Sequence, residues 1–303
     1  MRRTQTSWRR RWSKNWLKKF LAISLVLVAG AYGTAVSTNA AGPAKKPGKT
    51  KGPEKVARKT DDVTPSVAKD VPRIVADNHP LKPCIAGAEE SLAAVKALKD
   101  YSTVLFKQEL VSTKLVNQTL MMKVRYEPFS VYLKFEQPHA GREVIYVDGL
   151  NKGKLLVHET GFRALAGTLS FLPNSKEALA ENRYPITQAG MGKMLEIVIA
   201  QWQADARYQE VTVKQVPGMK TGDQTCELFE VVHPQARDHF KFHKTRLFLD
   251  SDTKLPIRLE QYVWPEKEGG EPVLAEEYIF TQLKTNLSLT DIDFDKTNPA
   301  YQF

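Results

Sequence analysis

The chain has only two cysteines in 303 residues, Cys84 and Cys226, and they stand in unrelated contexts with no Cys-x-x-Cys pair. Thiol chemistry therefore finds no support. A Gly-x-Ser-x-Gly nucleophile elbow is missing, and so is a glycine-rich phosphate loop, since Gly190-Met-Gly192 is a lone turn at a helix start. The carboxylate pairs Glu89-Glu90 and Glu276-Glu277 are adjacent in sequence, so in a helix or strand they diverge and make poor acid–base partners. These absences leave no catalytic residue to name, call for no cofactor, and argue against an enzyme.

Acidic residues are nearly missing from the first 60 positions, which hold 15 Lys and Arg against Glu54 alone, a net charge of +14. The remaining chain has 29 bases and 33 acids, a net charge of −4. The overall +10 thus belongs to the N-terminus, and the mildly acidic remainder has no attraction for phosphate backbones. No nucleic-acid partner is expected.

One long apolar run, residues 20–36, follows a basic segment of Arg2, Arg3, Arg9, Arg10, Arg11, Lys14, Lys18 and Lys19. Small residues come next, Thr38-Asn39-Ala40-Ala41. That order predicts a signal peptide over residues 1–40, with cleavage after Ala40 or Ser37. The alternative is an uncleaved anchor with its basic end in the cytoplasm. Both predict export to the periplasm or beyond, with membrane contact through the N-terminus before cleavage. No cysteine stands at the end of the run, which argues against a lipid-anchored lipoprotein. Residues 41–82 carry six prolines, many lysines and no aromatic residue. Such a segment predicts a disordered linker.

From residue 83 the pattern is that of a folded domain. Ile85, Ala88, Leu92, Val95 and Leu98 predict an amphipathic helix over 83–98. Eleven strand patterns follow, near 101–112, 119–127, 130–136, 142–148, 154–158, 164–171, 209–216, 224–232, 240–250, 254–264 and 271–283. Helices are predicted between the sixth and seventh, a short one over 175–182 and a longer one over 190–208. The tail, 286–303, reads as irregular. Short turns between consecutive strands imply antiparallel pairing, and so long a sheet must curl or be covered. The expectation is one α+β domain over 83–303, a strongly curved, incompletely closed antiparallel sheet with helices on its concave face.

The run from Arg125 to Phe135, with Gly141 to Tyr146, Arg183 to Thr187, Leu255 to Arg258 and Tyr262 to Pro265, resembles a bacterial family of secreted proteins, domain of unknown function 1571. The likeness covers about 80–295. More broadly, the second half is similar to the LolA/LolB-like lipoprotein-carrier superfamily: an Asp250-led turn, Leu-Pro-Ile-Arg, then Tyr278-Ile-Phe-Thr281, Asn286 and Phe294. That resemblance implies an incompletely closed barrel plugged by helices, with a hydrophobic cavity for acyl chains.

Met191, Met194, Leu195, Val198 and Trp202 share one stripe of the predicted helix over 190–208, and Met121 lies in a strand. Pliable methionines suit a surface for varied apolar ligands; the other reading is ordinary core packing. Cys84 and Cys226 are candidates for a disulfide in an oxidising compartment, with two buried free thiols as the alternative. His239 and His243, on one face of a strand, would sit about 13 Å apart, too far for one metal ion. The expected function is a non-enzymatic cell-envelope binding protein holding a lipid or lipoprotein acyl chain. The alternative is a tethered extracytoplasmic sensor or structural interaction module, with an envelope protein as partner and no small-molecule cargo.

Overall fold

The computed structural model describes residues 75–221, 224–267 and 269–303. The expected signal peptide and most of the expected linker lie outside them. Order begins before residue 83, because His79 and Leu81 are already buried. Helix α1 (Lys82–Lys96) has a proline in its first turn and buries Cys84, Ile85, Ala88, Ser91 and Val95. The pre-set backbone of Pro83 suits that position, where an amide N–H has no helical partner.

Eleven strands follow: β1 (Asp100–Val111), β2 (Lys114–Tyr126), β3 (Phe129–Gln137), β4 (Glu143–Val147), β5 (Leu155–His158), β6 (Thr168–Phe171), β7 (Thr212–Thr221), β8 (Gln224–Val232), β9 (Lys244–Asp250), β10 (Pro256–Val263) and β11 (Val273–Thr285). They form one antiparallel sheet in the order β6-β5-β4-β3-β2-β1-β11-β10-β9-β8-β7. The sheet is therefore two meanders, β1–β6 and β7–β11, joined where β1 pairs with β11. It is not closed, since β6 and β7 are its two edges. The short helix α2 (Lys176–Leu179) and helix α3 (Met191–Asp205) lie between those edge strands in the chain.

The main core lies between the concave face and the helices. Val95 and Ala88 of α1, Leu195 and Trp202 of α3, and Phe229, Val231, Leu247 and Leu249 of the sheet belong to it. Contact is close: a Cβ on Gly87 would meet the Phe229 ring at 2.4 Å. Gly190, the residue before α3, has φ +94, and a Cβ there would lie 2.7 Å from the Tyr101 hydroxyl oxygen. That hydroxyl accepts the Met191 backbone N–H at 3.0 Å, so a glycine is needed for α3 to start against the sheet.

The tail is irregular, apart from a single 3₁₀ turn (Asp291–Phe294), yet it covers the convex face of β3 and β4. Phe294 packs with Tyr132, Ile145 and Val147, and Tyr301 stacks on Tyr132 with centroids 4.0 Å apart. Lys123 bridges to Asp293 at 2.8 Å and donates to the Tyr301 hydroxyl at 3.1 Å. Every residue of β4 is consequently buried.

Three local expectations need correction. β9 starts at Lys244 rather than 240, and Phe240 and Phe242 sit in an irregular segment, both buried. There His239 stacks on Tyr208 and His233 on Phe240. Residues 164–166, expected to open the strand over 164–171, belong instead to a 3₁₀ turn (Gly161–Ala166) before β6. Cys84 and Cys226 are free thiols, both buried. Cys84 belongs to the core beneath the helices. Cys226 packs with Leu228, Phe248 and Ile257 in a separate cluster. Alternation along β8 turns Phe229 and Val231 to the helices and Cys226 to the other face, so the sheet stands between the sulfurs. Burial pushes the Cys84 thiol up to about 12, which keeps it protonated and inert.

Candidate functional site

Helices α1 and α3 occupy only part of the concave face. The rest bounds a chamber of about 810 Å³, lined from β1–β6, β10, β11, α2, α3 and the turn before β6. That is within the ordinary size range of small-molecule sites, roughly 300–1,000 Å³. Its larger part is apolar. Leu105, Leu120, Met122, Phe135, Val144 and Phe280 supply the floor, and Met194, Ile197 and Val198 of α3 supply one wall. The period-2 pleat puts Leu105, Lys107 and Glu109 of β1 on one face, beside Leu120 and Gln118 of β2.

One end of the floor is polar. Glu109 and Glu276 face each other across β1 and β11, and both are almost fully buried. The Lys107 ammonium donates to Glu109 at 3.3 Å and to Asn182 Oδ1 at 2.6 Å. Arg183 pairs with Glu276 at 2.9 Å, and its backbone N–H donates to Glu109 at 2.9 Å. The Tyr184 hydroxyl donates to Glu276 and the Tyr278 hydroxyl to Glu109. Burial raises the Glu276 carboxyl above its usual range, opposed by Arg183 and Lys241. Burial likewise lowers the Lys241 ammonium. The network pins the 182–184 segment to the sheet.

At another rim Arg142 joins Glu159 and Glu181, each at 3.0 Å, and His139 meets Glu181 at 3.0 Å. Burial pushes the Glu181 carboxyl up, but hydrogen bonds from His139 and Arg142 outweigh it and hold it below its ordinary value. The mouth carries an apolar lip: Phe162 is 88% exposed and Leu165 81%, and both line the chamber.

Of the apolar side chains singled out in the sequence, Met194 and Val198 line the chamber. Met191, Leu195 and Trp202 share their helix but are wholly buried in the core. Met121 is corrected outright. It lies on the convex side against the Tyr132–Phe294 cluster, and its neighbour Met122 is the lining residue. The polar band went unpredicted. The β1–β2 hairpin sets Lys107 beside Gln118, and only the long-range β1–β11 register brings Glu276 and Tyr278 to them.

Among the described residues no group of His, Cys, Asp and Glu is arranged to hold a metal ion, and no helix is long and apolar enough to cross a membrane.

A family model described as a protein of unknown function (DUF1571) matches residues 98–303. No curated protein matches the chain. Several solved structures are similar to it. Mycobacterium tuberculosis lipoprotein LppX is 12% identical, with 71% of this chain and 100% of that one covered, at a TM-score of 0.41. A DUF1329 family protein from Desulfovibrio piger is 12% identical, covering 74% and 100%, at 0.36. A LolA superfamily protein from Nitrosomonas europaea is 9% identical, covering 69% and 97%, at 0.26.

Proposed function

We propose that this chain, which belongs to the DUF1571 family, is a non-enzymatic binding protein of the cell envelope that holds a lipid or acyl chain in the chamber on its concave face. The observation that carries this reading is the chamber itself: about 810 Å³ of space, floored by leucine, methionine and phenylalanine, inside a domain whose other core is filled. Interiors normally pack to crystal density. A lined but unfilled space of this size forgoes dispersion contacts that a hydrocarbon chain would restore. Each methylene moved there from water contributes about 0.8 kcal/mol. The basic N-terminus and apolar run support export, and an envelope protein that delivers or receives the ligand is the natural partner.

The test is native mass spectrometry of the protein purified from an envelope extract, paired with titration of a fluorescent acyl probe. A releasable lipid-sized mass and saturable probe binding are expected. Bare protein with no saturable binding would reject the carrier and favour a tethered interaction module.

The lip supplies a second readout. Phe162 and Leu165 are too exposed to stabilise the fold, so Phe162→Ser with Leu165→Ser should change stability by less than about 0.5 kcal/mol. Transfer of the probe from vesicles should slow, since an apolar chain would lose its stepping stone between bilayer and chamber. Unchanged transfer would show that the ligand enters elsewhere.

A further inference from the structure

We propose that the polar end of the chamber is a head-group site, and that the ligand is an uncharged amphiphile whose head brings hydroxyl or amide N–H donors beside a carbonyl. This rests on the reading that the chamber takes an apolar chain, and it names what the other end of that chain carries.

The register sets out the site. Gln118 stands opposite Lys107, which stands opposite Tyr278. In the next row Glu109 faces Glu276, which faces Gln261, which faces Thr245. The charges in these rows are already matched, Lys107 with Glu109 and Arg183 with Glu276. The amides are not. Gln118 is 3% exposed and lines the chamber, and neither its Oε1 nor its Nε2 has a partner in the protein. Gln261 donates from Nε2 to Thr245 at 3.2 Å but leaves Oε1 unpaired, and Gln188, also on the lining, leaves its Oε1 unpaired.

An unpaired buried amide destabilises a fold by more than a typical hydrogen bond stabilises it, whereas an apolar residue of the same shape would be tolerated. Gln118 sits one pleat from Leu120, where a leucine would pack without penalty. Its two free polar atoms make sense as contacts for something that enters the chamber.

The unpaired atoms also specify chemistry. Three carbonyl oxygens and one amide nitrogen are left without partners, so the incoming head must bring donors as well as an acceptor. An anionic head would find Lys107 and Arg183 already paired, with Lys241 held on Tyr184 off the lining, and would lie beside Glu109 and Glu276. A neutral head with hydroxyls or an amide meets both conditions. Gln118 and Gln261 are three strand spacings apart, about 14 Å along the sheet. Gln118 beside Lys107, whose ammonium has a third N–H to give, is therefore the centre of the site and Gln261 an outlying contact.

The experiment titrates the full-length protein with three dodecanoyl compounds that share a tail. These are 1-monododecanoylglycerol, with a carbonyl and free hydroxyls; methyl dodecanoate, with a carbonyl and no donor; and the dodecanoate anion. Wild-type protein should bind the glyceride about tenfold or more tightly than either of the others. Gln118→Leu should cut that preference to about twofold, and should raise the melting temperature by relieving the unpaired amide. Gln118→Met serves if the leucine variant does not fold. Equal binding of glyceride and methyl ester by wild type, tighter binding of the anion, or an intact preference in the variants would overturn the head-group site and leave the chamber standing. Failure of wild type to bind any of the three would overturn both.

Discussion

Replacing Val198 with tryptophan should abolish saturable binding of an acyl probe while moving the melting temperature by no more than about 4 °C, the shift that roughly 1 kcal/mol produces in a domain of this size. Val198 lies on the face of α3 that borders the chamber, beside Met194 and Ile197. An indole projecting from it enters space that the chain would otherwise occupy. Were that face packed core instead, the same change would overpack it and cost about 1–3 kcal/mol, and wild type would show no probe binding to lose. A melt and a titration on the same two proteins distinguish the outcomes, because one predicts lost binding with stability kept and the other lost stability with no binding at the outset. Trp202, one turn further along, is the control. It is fully buried against α1, and Trp202→Ala should cost about 3–5 kcal/mol.

A pH profile of stability should reverse its slope between two single variants of the pair Asp205 and His233. Asp205 ends α3 and His233 follows β8; their side chains are almost fully buried and lie 3.6 Å apart. The His233 Nδ1 faces the Phe242 carbonyl oxygen at 3.1 Å. It must therefore donate, which leaves Nε2 unprotonated, 3.6 Å from Asp205 and without a hydrogen bond. Burial raises the Asp205 carboxyl to about 7. Burial, with His243 and His239 adding, lowers the His233 imidazole to about 4 against the Phe242 hydrogen bond.

Between pH 4 and 6.5 the native pair thus holds one proton, on Asp205. The unfolded pair also holds one, on His233, so their contributions cancel. Asp205→Asn leaves only a histidine with a depressed value. The unfolded state then binds the extra proton, and stability should fall by about 3 kcal/mol as pH drops from 6.5 to 4. His233→Gln leaves only a carboxyl with a raised value, so stability should fall as pH rises from about 4 to about 7. Urea melts of both variants and wild type across that range test the pair. Parallel profiles would show that burial does not shift the two groups in opposite directions.

The strand and helix positions were legible because each element carries its own period; the β1–β11 join was not. β3 alternates residue by residue, and α3 repeats its apolar positions at threes and fours. What failed did so for identifiable reasons. Met121 and Met122 are adjacent and equally apolar, and sequence cannot say which faces inward when both faces of a strand are buried. The convex face was covered by a tail that lacks any period of its own, so nothing local announced that Phe294 and Tyr301 were packing residues. Phe240 and Phe242 mimicked strand alternation while lying in a bend, each held by a histidine ring or the core rather than by a ladder. Along α3 the stripe was found but its division was not. Met194, Leu195, Val198 and Trp202 are all members of the core, but only Met194 and Val198 also line the chamber. The polar band had no local signal at all, since Gln118 and Glu276 meet only through a long-range register.

The join between β1 and β11 also sets the order in which the domain can assemble. Each meander closes through hairpins, but the pairing of Leu105 with Phe280 must wait until nearly the whole domain has been made. Bringing such distant segments together is an entropic cost that local pairings do not share, and topologies of this kind fold slowly. Until that seam zips, both half-sheets present their leucine- and phenylalanine-rich inner faces to the solvent. The face that lines the chamber is thus, for an interval, a surface prone to aggregate, and the newly made chain is a natural client for a chaperone.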